Sequence, residues 1–236
     1  SKKGKKTTID NGQKGLDIAE PRLNRDEPGG VQGQLEARLP FEMLVTELSL
    51  KFINLAADAA DTEIDDAQRR VCECLGLDLC SLWQWSAESP GFLALTHLYR
   101  PPGGPPTPDP MDAQEYFPWC LQQLLAGQVI CIPSVEDLPA EAARDQEACR
   151  HLGIKTALTI PLATGGGPLI GALSFNDMKN KERVWSEPLV ERLQIVAQIF
   201  ANALARKRSD AELRESRERF DLAADSAGVG LWSMDL

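Results

Sequence analysis

The hydrophobic positions change period several times along the chain, and each change marks an element. Phe41, Leu44, Val45, Leu48 and Phe52 recur at steps of three and four, on one face of a helix with Glu42, Glu47 and Lys51 opposite. A second helix carries the stripe Ile64, Ala67, Val71 and Leu75, with Thr62 as its cap and Gly76 as its terminator. The pattern then becomes extended. Residues 80–85 and 92–99 read as aromatic-rich strands, and the turn composition of 86–91 joins them as an antiparallel hairpin. Residues 101–110 hold too much Pro and Gly for either regular structure. A helix over 113–126 with Tyr116, Phe117, Cys120, Leu121 and Leu124 ends at Gly127 and leads into a short strand, 129–132, that Pro133 stops. Loop and helix fill 136–152. Strands 157–162 and 168–175 follow around 164–167, whose glycines make a turn: a phosphate cradle would open a helix and usually carry Lys-Ser/Thr.

From residue 188 the helical period returns and persists for more than thirty residues. Leu189, Leu193, Val196, Phe200 and Ala203 alternate four and three apart, the spacing of a seam that a second helix fills. This predicts a homodimer in which Glu at Val196 and Phe200 separates the copies without unfolding the domain. Beyond Arg206 the helix is strongly charged, with sparse Ala211, Leu213 and Phe220, so it is expected to project as a connecting coiled coil. The apolar segment 229–236 reads as a strand without neighbours, and a lone strand cannot satisfy its hydrogen bonds. The chain is therefore expected to be a piece of a modular protein: 1–38 a disordered or linker segment, 39–206 a domain, 207–220 the charged connecting helix, 221–236 the truncated start of the next unit.

Composition narrows the function. With 43% hydrophobic and 25% charged residues the chain is ordinary globular protein, and a net charge of -10 argues against nucleic acid as a partner. The basic run Lys2, Lys3, Lys5 and Lys6 lies in a polar, Gly- and Pro-containing stretch and reads as solvated linker. No stretch of about 18 residues lacks charges and breakers, so no membrane contact is expected of these residues. A membrane tether elsewhere in the parent stays open. The six cysteines, Cys72, Cys74, Cys80, Cys120, Cys131 and Cys149, are scattered without a disulfide framework, which points to a reducing, cytoplasmic location. His97 and His151 are the only histidines, and Cys72 and Cys74 would point to different faces of one helix, so no metal site is expected.

The element order over residues 40–206 resembles a GAF domain. Four segments carry the likeness: 127–133 (GQVICIP) resembles the family's helix-to-strand step, 154–162 (IKTALTIPL) its strand entering a Pro, 168–175 (PLIGALSF) the following Gly-bearing strand, and 193–203 its closing helix. Residues 213–235 are similar to the lead-in helix and first strand of a PAS domain. Together they resemble the sensory region of bacterial histidine kinases, which implies downstream PAS and kinase domains, a two-component phosphorelay, and an α+β fold: an antiparallel sheet in an α/β/α sandwich with a long signalling helix. No phosphoacceptor His or nucleotide box is present here, so no catalytic residue is assigned.

The resemblance implies a small-molecule pocket covered by residues 101–152 and floored by strands around Trp83, His97, Thr159 and Ser174; Tyr99 and Trp119 complete the candidate set. No cofactor is assigned, and the ligand is unidentified. Phytochrome-like members attach a bilin through a Cys directly before His, whereas Arg150 separates Cys149 from His151 here. Cyclic-nucleotide members carry Asn-Lys-x-Asp, which residues 175–178 match only loosely. Two alternatives stand beside the sensor: a ligand-free dimerisation module, and a GAF-type free methionine-R-sulfoxide reductase using Cys149, although that family's Gly-Val-Cys-Gly element has no counterpart.

Overall fold

The computed structural model describes residues 30–86, 91–100, 102, 107–165 and 167–227, with side chains from Leu39 to Ala223. Its centre is an antiparallel sheet of β1 (Leu79–Trp85), β2 (Phe92–Tyr99), β3 (Met111–Asp112), β4 (Ile130–Ile132), β5 (Thr156–Ala163) and β6 (Leu169–Asp177), in the order β3-β2-β1-β6-β5-β4. Helices α1 (Gly30–Ile53), α2 (Ala60–Leu75) and α6 (Glu187–Ala227) cover one face, and the short α3 (Ala113–Tyr116), α4 (Pro118–Leu125) and α5 (Ala143–His151) cover the other. Strand alternation makes this possible: Cys80, Leu82, Leu158, Ile160, Leu173 and Phe175 face the long helices, while their neighbours face the short ones. The result is the expected α+β sandwich.

Helix α1 begins at Gly30, so residues 30–38, read from sequence as linker, are helical. The helix expected over 113–126 is two. Pro118 has no N–H to give and disfavours helical backbone before it, so Phe117 swings to φ -137°, ψ 55° and α4 starts afresh with Pro118 at its first position. Gly76 closes α2 at φ 62°, as its place in the sequence predicts. At the other end the helix runs on to Ala227, through the first residues assigned to the next unit, and the strand expected at 229–236 lies outside the described residues.

The seam on α6 is corrected. Leu193, Val196 and Phe200 are 0% exposed and Ala203 1%, and Leu189 is half-buried against the same cluster. They pack on the α1 and α2 stripes and the β5 face; the Phe200 and Phe52 ring centroids lie 5.7 Å apart. A four-three spacing records an apolar stripe but not whose side chains fill it, and here the chain fills its own. The Arg206 guanidinium then donates to the Phe52 and Ile53 carbonyls at 2.6 and 3.0 Å, and Lys207 pairs with Asp61. From Arg208 to Ala223 every side chain is exposed, so α6 leaves the globule there and extends on the order of 20 Å beyond it.

Candidate functional site: a cavity between sheet and short helices

A cavity of about 340 Å³ lies between the second sheet face and the short helices. Its floor comes from Ser81 and Trp83 on β1, Thr159 on β5, and Ala172, Ser174 and Asn176 on β6. Met111, Phe117, Cys120, Leu121, Leu124 and Cys149 form the lid. The lining is mainly apolar, crossed by one polar row. Ser81 and Thr159 stand on either side of Ser174 in the strand register, Thr159 Oγ1 and Ser174 Oγ are 2.6 Å apart, and Ser81 Oγ accepts the Trp83 indole N–H at 3.0 Å. At one end Asp78 and Arg100 join the wall; the Asp78 carboxylate accepts the Met178 N–H at 3.0 Å and binds the Lys179 ammonium.

The lid is fixed from within by Asp145 of α5, which is 0% exposed and accepts the backbone N–H groups of Trp119 and Cys120 at 3.1 and 2.8 Å. Those are free donors at the start of α4, where no residue of its own caps the helix and where a negative charge is favoured. Replacing Asp145 by Ala leaves both donors buried and unmet. A loss of about 2–4 kcal/mol is expected in denaturant unfolding, with faster amide exchange concentrated in α4.

Both lid cysteines are held neutral. Burial, with the nearby Asp145 charge, pushes the Cys149 thiol up to about 12 and drives Cys120 upward too. A thiolate nucleophile needs the opposite environment.

Of the six residues expected at the site, Trp83, Thr159 and Ser174 lie on the floor. His97 and Tyr99 face the other way, against the long helices. The cause is a bulge: β1 and β2 pair Trp83 with Leu95 but Leu82 with His97, so Thr96 is an extra residue and the alternation inverts across it. Leu93 and Leu95 therefore point to the cavity side, and past the bulge Leu98 and Arg100 do. His97 is buried, its Nε2 3.4 Å from Asp61 Oδ1 without a hydrogen bond. Burial lowers its pKa against the pull of Asp65 and Asp61. Trp119 packs half-buried beside the lid, off the cavity wall.

The segment compared with the cyclic-nucleotide signature has a structural role at Asp177. Its carboxylate accepts the Lys179 and Asn180 N–H groups at 3.0 and 2.9 Å and meets Arg183 at 3.4 Å. Burial pushes this carboxyl up, but those hydrogen bonds and the Arg183 charge outweigh it and hold it below the usual range. Cys72 is buried and Cys74 exposed, and among the described residues no group of three or more His, Cys, Asp or Glu is placed to hold a metal ion. No described helix is long and apolar enough to cross a membrane.

Solved structures share this architecture. The phycocyanobilin-bound GAF domain of a cyanobacterial phytochrome is 17% identical, with a TM-score of 0.57 over 72% of this chain and 96% of that one. Free methionine-R-sulfoxide reductase from Neisseria meningitidis, in complex with its substrate, is 16% identical, with a TM-score of 0.57 over 74% and 93%. The blue-light absorbing form of the Thermosynechococcus elongatus PixJ GAF domain is 13% identical, with a TM-score of 0.53 over 69% and 94%. Identities this low establish the fold alone. No curated protein matches the chain by sequence. Residues 60–204, more than half of the chain, match the GAF domain family. This match spans α2 through the buried part of α6, the elements that enclose the cavity and the core behind it, and the chain belongs to the GAF domain family.

Proposed function

We propose that this chain is the sensory segment of a multidomain signalling protein, binding a small, largely apolar ligand in the cavity and reporting occupancy through α6. The observation that supports this is the shared sheet. Thr159 contacts the cavity, while Leu158 and Ile160 beside it pack in the same core as Leu193, Val196 and Phe200 of α6. A ligand that shifts β5 thus acts on the helix that leaves the domain. Signalling requires the ligand to favour one arrangement over the other, because equal affinity for both shifts nothing. The output we assign, by likeness to bacterial sensory proteins, is a histidine kinase following a PAS domain.

The phycocyanobilin named with the phytochrome neighbour does not suit these residues. Cys149 is a buried, neutral thiol, and His151 is exposed. The same thiol opposes the reductase alternative, for which Cys149 would have to ionise.

The test is ligand-dependent melting of the chain against a metabolite panel, with Ala172→Leu filling the floor. A true ligand at 100 times its Kd stabilises by about 2.7 kcal/mol, and the shift disappears in Ala172→Leu. A wild-type midpoint that no compound moves hands the case to the ligand-free module. Turnover of free methionine sulfoxide that is lost in Cys149→Ser would establish the reductase instead.

A further inference from the structure

The floor of the cavity holds polar groups that the fold itself leaves unsatisfied. Asn176 of β6 is 3% exposed and lines the cavity, yet its side-chain amide has no hydrogen-bond partner among the described residues. A buried amide of this kind costs free energy unless something else meets it. Two positions back on the same face of β6, Ser174 shares a single hydrogen bond with Thr159, so one hydroxyl proton of that pair is unspent. Ser81, opposite Ser174 on β1, accepts the Trp83 indole N–H and has no acceptor for its own proton among the described residues. Side chains that oppose each other in this way start about 5 Å apart, close enough to serve one small group of a ligand together.

We infer that the ligand is a small apolar carboxylic acid, held by its carboxylate over Ser81, Ser174 and Asn176 with its apolar body beneath Leu121 and Leu124 of α4. The inference rests on the cavity being the sensory site, and it names the class of molecule that fills it. Hydrogen-bond demand selects the head group. The floor offers one proton from Ser81, one from the pair of Ser174 and Thr159, and two from the Asn176 amide; a carboxylate has about four lone-pair sites and no proton to place, whereas a carbonyl or ether oxygen has about two. Charge selects against the neutral rival, a primary amide. Arg100 and Lys179 share the cavity wall with Asn176, opposed by Asp78 alone, and the Asp78 carboxylate is already taken by the Met178 N–H and the Lys179 ammonium. A buried anion is stable where hydrogen bonds and positive charge meet it together, and this end of the cavity supplies both. The rest of the lining is mainly apolar, and about 340 Å³ lies at the lower end of ordinary small-molecule sites, so the body of the acid is small.

The test is calorimetric titration of the full chain at neutral pH with phenylacetate, cinnamate, isovalerate and octanoate, each beside its primary amide. At least one acid is expected to bind, and its amide to bind at least about tenfold more weakly, the worth of a hydrogen bond made to a charged group. Asn176→Asp keeps the size of the side chain but sets an anion against the carboxylate, so acid binding should be lost while the amide still binds. Ser174→Ala, which removes one donor and carries the test if Asn176→Asp does not fold, should weaken the acid about tenfold and the amide less. Acids that do not bind, amides that bind as tightly as their acids, or an Asn176→Asp protein with wild-type affinity for the acid would each overturn the assignment. The two readings part on the metabolite panel: a neutral compound whose stabilisation disappears in Ala172→Leu keeps the sensory site and removes only the acid, whereas a chain that no compound stabilises loses both.

Discussion

Phe200→Glu is expected to abolish cooperative folding of the chain instead of separating two folded copies. Phe200 is 0% exposed, its ring lies 5.7 Å from that of Phe52, and it shares a cluster with Leu193, Val196 and Leu204. Truncating such a ring to Ala costs about 3–5 kcal/mol. A carboxylate in its place adds an unpaired buried charge, worth several kcal/mol more unless it takes up a proton. The sum approaches the whole stability of an ordinary domain, about 5–15 kcal/mol. Thermal denaturation followed by near-UV circular dichroism should therefore show no transition, and Val196→Glu, equally enclosed, should behave alike. Leu213→Glu, on the exposed stretch of the same helix, should melt with the wild-type midpoint at concentrations where the chain is single. A Phe200→Glu protein that stays folded and merely halves in mass would mean that the apolar stripe of α6 faces a partner after all.

That contrast shows what the sequence could and could not reveal. The long amphipathic helices and all the paired strands but the two-residue β3 were legible, though not the start of α1, because apolar side chains at helical or alternating spacing have to be covered. Phe41 to Phe52 and Ile64 to Val71 are covered as their spacing predicts. What spacing leaves open is the identity of the cover: the row on α6 was assigned to a second chain, when the stripes of α1 and α2 needed it more. The site was legible to the same depth. Trp83, Thr159 and Ser174 reach the cavity because alternation is regular around them, whereas His97 and Tyr99 do not, because one extra residue at Thr96 inverts the faces of β2. A bulge of this kind leaves no mark in a pattern of apolar and polar letters. Asp145 left none either: its partners, the N–H groups of Trp119 and Cys120, belong to another helix, and only the folded chain brings them together. A break at Pro118 was open to anticipation, since a proline inside a helix removes a hydrogen bond and crowds the preceding turn, but the letters alone do not decide it: α1 runs on through Pro40.

Gly171→Val is expected to disrupt the centre of the sheet and, with it, the cavity floor. Gly171 lies on β6 between Gln84 of β1 and Leu162 of β5. A Cβ there would sit 1.9 Å from the Trp83 carbonyl oxygen and 2.9 Å from its carbon. The obstruction is backbone of a central strand, so no rotamer change relieves it; β1 and β6 must part, breaking ladder hydrogen bonds on both sides. Even Gly171→Ala should cost at least about 3 kcal/mol in denaturant unfolding, at or beyond the upper end of ordinary overpacking. Gly76→Ala is the control. Gly76 also needs its glycine, for φ 62°, but a Cβ there meets nothing within 4 Å, and the cost should stay near 1 kcal/mol. The position has a functional consequence as well, because Trp83 and Ala172, the neighbours of the clash, both line the cavity. If Gly171→Ala folds at low temperature, any ligand that stabilises the wild type should lose its effect, while in Gly76→Ala the ligand shift should persist undiminished. Equal losses of stability in the two variants would mean that β1 and β6 are not in close backbone contact at this point, and the registry that places Ser81, Ser174 and Thr159 in one row would fail with it.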